Sequence, residues 1–299
     1  MSMLRAYLQL MRFPAVFTAL CDILLGFLLN HSTLAGEERK FSLLLVASAG
    51  LYLSGMVFND LFDRAIDARE RPGRPIPSGR VSARAALILA ILLMAAGIAA
   101  AALVGTQSLG LALAIAGAIF LYNGFLKKTP LGPLGMGLCR FLNVMLGASG
   151  HSLALAVWSR FQWQAALAMG VYIVGVTWFA RNEAGENRRA PLVGATAVVN
   201  AGIAGLAAYA ASYHAGSRSI QSVLISLALM AFIKNRRRFA TVLTPTPERV
   251  QTSVKMLIYS YVLLEATLIF SKTQNPALAI AAAALLAPAM LLGRWIYIT

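Results

Sequence analysis

Apolar residues in this chain run in long blocks, with polar residues gathered between them. Ten blocks stand out, roughly at 13–30, 41–59, 83–104, 108–125, 133–152, 163–180, 190–212, 219–235, 250–271 and 275–297. Each is close to the ~20 residues an α-helix needs to cross the ~30 Å hydrocarbon core of a bilayer. None shows the period-2 alternation of a transmembrane barrel strand. A helix satisfies its own backbone groups along a continuously apolar span, so the pattern predicts an all-α polytopic membrane protein. Lys255 and Glu265 interrupt the block at 250–271, which leaves a tilted or interfacial helix as the alternative there.

Composition agrees. The chain is 59% hydrophobic and 12% charged, about half the ~25% charge of ordinary soluble domains. Soluble globular, disordered and collagenous classes are excluded. Only two cysteines occur, Cys21 and Cys139, each inside an apolar block, which excludes a disulfide scaffold. The net charge of +15 raises nucleic acid as a partner, but the placement of the charges answers that. Most of the 26 Lys and Arg residues fall on one side of the bundle: Arg5, Arg12, six arginines from Arg64 to Arg84, Lys127, Lys128, Arg181, Arg188, Arg189, the stretch from Lys234 to Arg249, and Arg294. The positive-inside bias puts that side, with both termini, in the cytoplasm. Topology and membrane lipids account for the charge, and no nucleic acid is expected. Block 13–30 lacks a signal-cleavage pattern and reads as a first span. A single domain over 1–299 is expected.

With so many basic residues, the 11 acidic ones become informative. Asn59, Asp60, Asp63 and Asp67 cluster at the cytoplasmic end of the second block. Positions 59 or 60, 63 and 67 share one helix face if the helix continues past the apolar block. Three carboxylates on one stripe repel one another. A divalent cation resolves this, and Mg²⁺ in particular is held by one or two carboxylates plus substrate phosphates and water. The competing reading is a charged helix end offset by Arg64 and Arg69. Glu183 and Glu186 form a second cluster in another loop on the same side, alone no more than a solvated loop, paired with the first a second metal-binding wall. Asp22 lies near mid-membrane in the first block. It is a candidate to orient or deprotonate an acceptor, or else a hydrogen-bonded polar group facing the bundle interior.

Between the second and third blocks, Arg71-Pro72-Gly73-Arg74-Pro75-Ile76-Pro77-Ser78-Gly79-Arg80 is a stiff loop studded with arginine. Arginine suits bidentate phosphate contact. Lys127 and Arg140 add charge nearby. Anionic lipid binding is the competing reading for each.

Taken together, these residues resemble the UbiA superfamily of intramembrane prenyltransferases. The likeness rests on Asn59-Asp60-x-x-Asp63-x-x-x-Asp67, the Arg-rich loop after it, Arg12-Phe13-Pro14, Tyr122 to Lys127, and Arg140 with Asn143. The second motif departs from the family's Asp-x-x-x-Asp, because one carboxylate is an amide in either alignment and the other is Glu. Phe179 to Glu183, Leu126 to Pro130 and Gly137 to Arg140 look most like the EboC branch. The resemblance implies a bundle of nine to ten transmembrane helices. It also implies Mg²⁺-dependent transfer of a prenyl group from a prenyl diphosphate to a small acceptor. Asn59, Asp63, Asp67, Glu183 and Glu186 would hold metal, with Asp60 supporting the first wall. Arg12, Arg71, Lys127 and Arg140 would contact the diphosphate. Phe58, Tyr122, Tyr172, Trp178 and Phe179 lie at a depth suited to lining a prenyl cavity, with ordinary packing as the competing reading for each. The alternatives are a catalytically degenerate prenyl-diphosphate-binding protein or a transporter.

Overall fold

The computed structural model describes residues 3–31, 33–150, 160–181, 189–213 and 219–296. Every regular element among the described residues is helical. A short helix α1 (Met3–Leu10) precedes the first apolar block. Arg12 then adopts the left-handed conformation, with φ 46° and ψ 47°, and turns the chain through Phe13–Ala15 into α2 (Val16–Asn30). A non-glycine residue held there signals local strain, which clusters at functional sites. Helix α3 (Glu38–Glu70) does not stop with its apolar block. Its 33 residues span about 50 Å, so the turns from Asn59 to Asp67 extend the membrane helix as one continuous face.

After the Arg-rich loop, α4 (Ala83–Val104) starts where Ser82 Oγ accepts from the Ala85 amide at 3.1 Å. Then come α5 (Thr106–Gly124), a turn at Leu126–Lys128, and α6 (Gly132–Gly147). Helices α7 (Arg160–Ala180), α8 (Arg189–Tyr213) and α9 (Ser219–Leu243) follow. Helix α10 (Pro247–Thr273) is capped by Thr246 and runs unbroken through Lys255 and Glu265. The last two are α11 (Pro276–Ala284) and α12 (Leu286–Leu292).

Among the described residues, 7 helices are long and apolar enough to cross a membrane: α2 with its preceding turn, α3, α4, α5, α7, α8 and α10. The other three expected spans fall short of that measure. Helix α6 has 16 residues, and α9 carries Lys234, Arg236, Arg237 and Arg238 in its second half. The block at 275–297 is not one helix, contrary to expectation. Pro288 has no amide to donate, and its ring clashes with the carbonyl of Ala284, where α11 ends.

The buried apolar residues form two clusters, one built on α1–α5 and the other on α6–α10, with α2 and α6 contributing to both. Those two helices touch through glycine. A Cβ on Gly26 would lie 2.0 Å from the Val144 carbonyl, and one on Gly147 would lie 2.6 Å from that of Ile23. Such close backbone approach is how membrane helices gain packing energy, since lipid gives them little hydrophobic drive to associate. Leu87, Ile88, Ile91 and Leu92 of α4 remain exposed, an apolar face that acyl chains rather than water can cover.

Candidate active site

A cavity of about 710 Å³ opens between the two halves of the bundle. One wall is polar and comes from the end of α3. Asn59, Asp60 and Asp63 line it. Asp60 is buried and receives Arg12 Nη2 and Arg74 Nη1, each at 3.3 Å. Asp63 is paired with Lys127 Nζ. Asp67 is buried, held by Arg74 Nη1 at 2.6 Å, and set back from the cavity lining. Asn59 Oδ1 accepts from Arg12 Nη2 at 3.3 Å, while its Nδ2 donates to Asn123 Oδ1 at 2.9 Å. Each carboxylate of the stripe is thus balanced by a basic side chain from elsewhere in the chain. Arg74 bridges two of them, a role that sequence spacing does not single out among the arginines of its loop.

All four residues expected to contact diphosphate, Arg12, Arg71, Lys127 and Arg140, line this same cavity. Arg71 is exposed at the mouth. Burial pushes the Lys127 ammonium below the usual lysine range, against the opposing pull of Asp63.

Arg140 sits deeper and is fixed on several sides. Its Nη1 donates to Asp22 Oδ2 at 2.9 Å and its Nη2 to Thr18 Oγ1 at 2.7 Å. Its guanidinium lies 5.4 Å from the ring centres of both Tyr52 and Tyr261, within cation–π range. The Tyr261 hydroxyl donates to Asp22 Oδ1 at 2.5 Å, and Asn143 Nδ2 donates to Asp22 Oδ2 at 2.8 Å. Asp22 is fully buried, has both oxygens occupied, and does not line the cavity. It acts on the cavity through Arg140 and Tyr261, which do.

The opposite wall is mainly apolar, with Ile173 and Val176 of α7 and Val254 and Ile258 of α10 beside the polar Thr177 and Gln251. A smaller chamber of about 60 Å³ shares Tyr52, Met56, Asn59, Tyr122, Met136 and Arg140 with the main cavity. It runs on between α3 and α5, past Leu51, Ile115 and Ile119. Of the five aromatics at the expected depth, only Tyr122 lines the main cavity. Phe58 packs on Phe120 with ring centres 4.9 Å apart. The Tyr172 hydroxyl donates to the Leu257 carbonyl at 2.9 Å, Phe179 is buried, and Trp178 is exposed. Tyr52 and Tyr261 are the cavity aromatics that sequence reasoning missed. Tyr261 meets its partner Asp22 across 239 positions, and no local pattern announces that.

Glu183 and Glu186 lie outside the described residues. Among the described residues, no group of three or more His, Cys, Asp or Glu side chains is arranged to hold a metal by itself. The cavity therefore pairs two carboxylates and several cations on one wall with a mainly apolar surface on the other.

Comparison with known proteins agrees with this architecture. The sequence model of the UbiA prenyltransferase family matches residues 15–241. A digeranylgeranylglyceryl phosphate synthase of Methanothrix thermoacetophila is 48% identical over 88 residues, covering 29% of this chain and 33% of that protein. The same-named protein of Methanopyrus kandleri is 35% identical over 161 residues, covering 52% of this chain and 57% of that protein. The matches thus span a third to just over half of these relatives' own length. Among solved structures, a UbiA homolog from Archaeoglobus fulgidus bound to GPP and Mg²⁺ superposes with a TM-score of 0.65 at 18% identity, covering 93% of this chain and 99% of that one. An apo UbiA homolog from Aeropyrum pernix gives 0.65 at 21% identity, with coverage of 93% and 98%. The long apolar helices make this an integral, multi-pass membrane protein, and with most of its length matched by the family model the chain belongs to the UbiA prenyltransferase family.

Proposed function

We propose that the whole chain, 1–299, acts as one prenyltransferase domain. It moves a prenyl group from a prenyl diphosphate to a small acceptor within the membrane. The observation that carries this reading is a single cavity with Asp60, Asp63, Arg12 and Lys127 on one wall and the apolar faces of α7 and α10 on the other. That pairing suits a polyanionic head joined to a hydrocarbon tail.

The donor set fits Mg²⁺ shared with the substrate rather than caged by protein alone. Mg²⁺ takes one or two carboxylates and completes its shell with phosphate oxygens and water. Asp63, with Asn59 and Asp60, would hold it at the first wall. Asp67 supports that wall by anchoring Arg74, and Glu183 with Glu186 would form the second wall. When bound, the ion supplies Lewis-acid neutralisation of the leaving diphosphate. Arg12, Arg71, Lys127 and Arg140 contact the diphosphate oxygens and stabilise the charge that develops as the carbon–oxygen bond breaks. The α7 and α10 wall keeps water from the allylic cation, and Tyr52, Tyr122 and Tyr261 offer aromatic faces to it. The donor agrees with the GPP named for the Archaeoglobus fulgidus protein. The EboC-like segments do not tie the acceptor to the benzoates or naphthoates of quinone biosynthesis. The positive-inside bias supports a cytoplasmic cavity mouth, with both termini on that side.

The test is Mg²⁺-dependent release of diphosphate by the purified chain, supplied with prenyl diphosphates of several lengths and a membrane extract as the source of acceptor. Asp63→Ala should abolish it, and unchanged turnover would reject the reading.

A further inference from the structure

Behind the α7 and α10 wall, away from the cavity, a second set of charged side chains has no counterpart. Lys234 and Arg238 stand one turn apart on α9 and face into the bundle. Arg238 is 2% exposed. Its Nη2 donates to Asn200 Oδ1 of α8 at 3.0 Å and to Asn235 Oδ1 at 2.7 Å. Its Nη1 is buried without a hydrogen-bond partner, and so is Lys234 Nζ. Lys234 Nζ lies 5.9 Å from the ring centre of Tyr172. Asn200 Nδ2 is already engaged with Asn235 Oδ1 at 3.1 Å. One turn along α8, Thr196 Oγ1 is also buried and unpartnered. Among the described residues no carboxylate forms an ion pair with either cation.

Both asparagine carbonyl oxygens are in use, so what stays open is almost entirely donors: an ammonium, one arm of a guanidinium and a hydroxyl. Buried ionic groups in membrane helices are costly when uncompensated. Two charged donors one turn apart on a helix face turned into the bundle suit an anion with several oxygens, and arginine beside lysine is phosphate chemistry. The position suits such a ligand. Arg189 Nη2 donates to the Leu243 carbonyl at 2.8 Å and ties the start of α8 to the end of α9. Arg238 is five residues from Leu243, about 7.5 Å along the helix, a depth that headgroups reach. Basic pockets between membrane helices at this level bind anionic headgroups.

We propose that α8 and α9 form a binding site for a single phosphate group, coordinated by Lys234 and Arg238 and oriented by Asn200 and Asn235. The phosphate belongs either to a lipid headgroup or to a free phosphate. This site is separate from the prenyl cavity and independent of the reading given for it.

The test uses the full chain in an uncharged detergent, with thermal unfolding as the readout. Inorganic phosphate is one arm, phosphatidic acid in mixed micelles a second, and phosphatidylcholine the reference. The wild-type protein should unfold at a higher temperature in at least one anionic arm, and both K234M and R238M should lose that increment. A shift with phosphatidic acid alone supports the site with a lipid headgroup as its ligand, whereas a shift with inorganic phosphate supports it with free phosphate. K234M removes a buried charge that makes no hydrogen bond and should unfold no lower than wild type in the reference arm, whereas R238M also strips the Asn200 carbonyl of its donor and is compared with its own reference arm. If a variant does not fold, direct binding of labelled phosphatidic acid and phosphate to R238K takes its place. Losing the planar fork should weaken binding. No increment in either arm, an increment that persists in both variants, or unweakened binding to R238K overturns the proposal.

Discussion

Asp22 and Arg140, 118 residues apart in the chain, meet at 2.9 Å inside the bundle. The contact exists because Gly26 and Gly147 let α2 and α6 touch backbone to backbone. Arg140 is thereby presented to the cavity at a fixed angle, with Tyr52 and Tyr261 beside its faces. Asp22 is the group that holds this arrangement, with both of its oxygens in use.

Removing Asp22 should therefore unfold the protein more readily. Asp22→Ala leaves Arg140 buried without its partner, a loss of about 3–5 kcal/mol for a broken buried pair. Tyr261→Phe deletes one hydrogen bond to a charged group and should cost about 1.5–3 kcal/mol. Denaturant titration in detergent measures both, and an Asp22→Ala midpoint equal to wild type would contradict the assigned role.

Lys127 should make substrate binding sensitive to alkaline pH. Its ammonium is held below the usual lysine range by burial, so it releases its proton where a free lysine would not. Across that window the unfolded chain binds more protons, and the contribution of Lys127 to stability rises with pH up to the ordinary lysine value of 10.5. Affinity for prenyl diphosphate moves the other way, because the cation is lost. Lys127→Arg keeps its charge and should flatten the alkaline fall in affinity. Titrating binding from neutral to alkaline pH, with both proteins side by side, decides the matter.

The α2–α6 contact should tolerate no side chain. Gly26→Val places a Cβ 2.0 Å from the Val144 carbonyl oxygen and should abolish recovery of monodisperse protein. Gly110, in α5, has nothing within 4 Å of a built Cβ. Gly110→Ala should instead leave stability unchanged or raise it by up to about 1 kcal/mol, from helix propensity. Size-exclusion profiles and thermal midpoints of the two variants separate these outcomes.

Glu186→Ala should raise the Mg²⁺ concentration needed for half-maximal diphosphate release, if that carboxylate serves the second wall. A metal titration indistinguishable from wild type would reduce the 183–186 cluster to a solvated loop.

Much of this was legible in the residues alone. Hydropathy along the chain is a local property, so the blocks forecast helices wherever the chain stays apolar. Pro288, which splits the last block, is a local signal too. The stripe of Asn59, Asp60, Asp63 and Asp67 was legible because one-turn spacing puts those positions on one face wherever the helix lies. The basic loops that bring Arg12, Arg71 and Lys127 to the cavity could be ranked by charge, which is again visible in one dimension.

Other features depend on which faces meet, and no spacing encodes that. For Asp22 the sequence leaves open a role on an acceptor or a hydrogen-bonded place in the bundle, and α6 and α10 decide it by supplying Arg140, Asn143 and Tyr261. Tyr172 and Phe179 sit at cavity depth but are turned into the core, while Tyr52 and Tyr261 face the cavity. Arg74, one arginine among several in its loop, became the bridge between Asp60 and Asp67 only when that loop folded back on α3. Sequence by itself determined the helical membrane architecture and the chemistry available along each helix, because both follow from periodicity and polarity within a few turns. Tertiary structure decided which charges are paired and which side chains line the cavity, because those depend on which helix and loop faces meet, from Arg74 on Asp67 seven positions away to Tyr261 on Asp22 across 239.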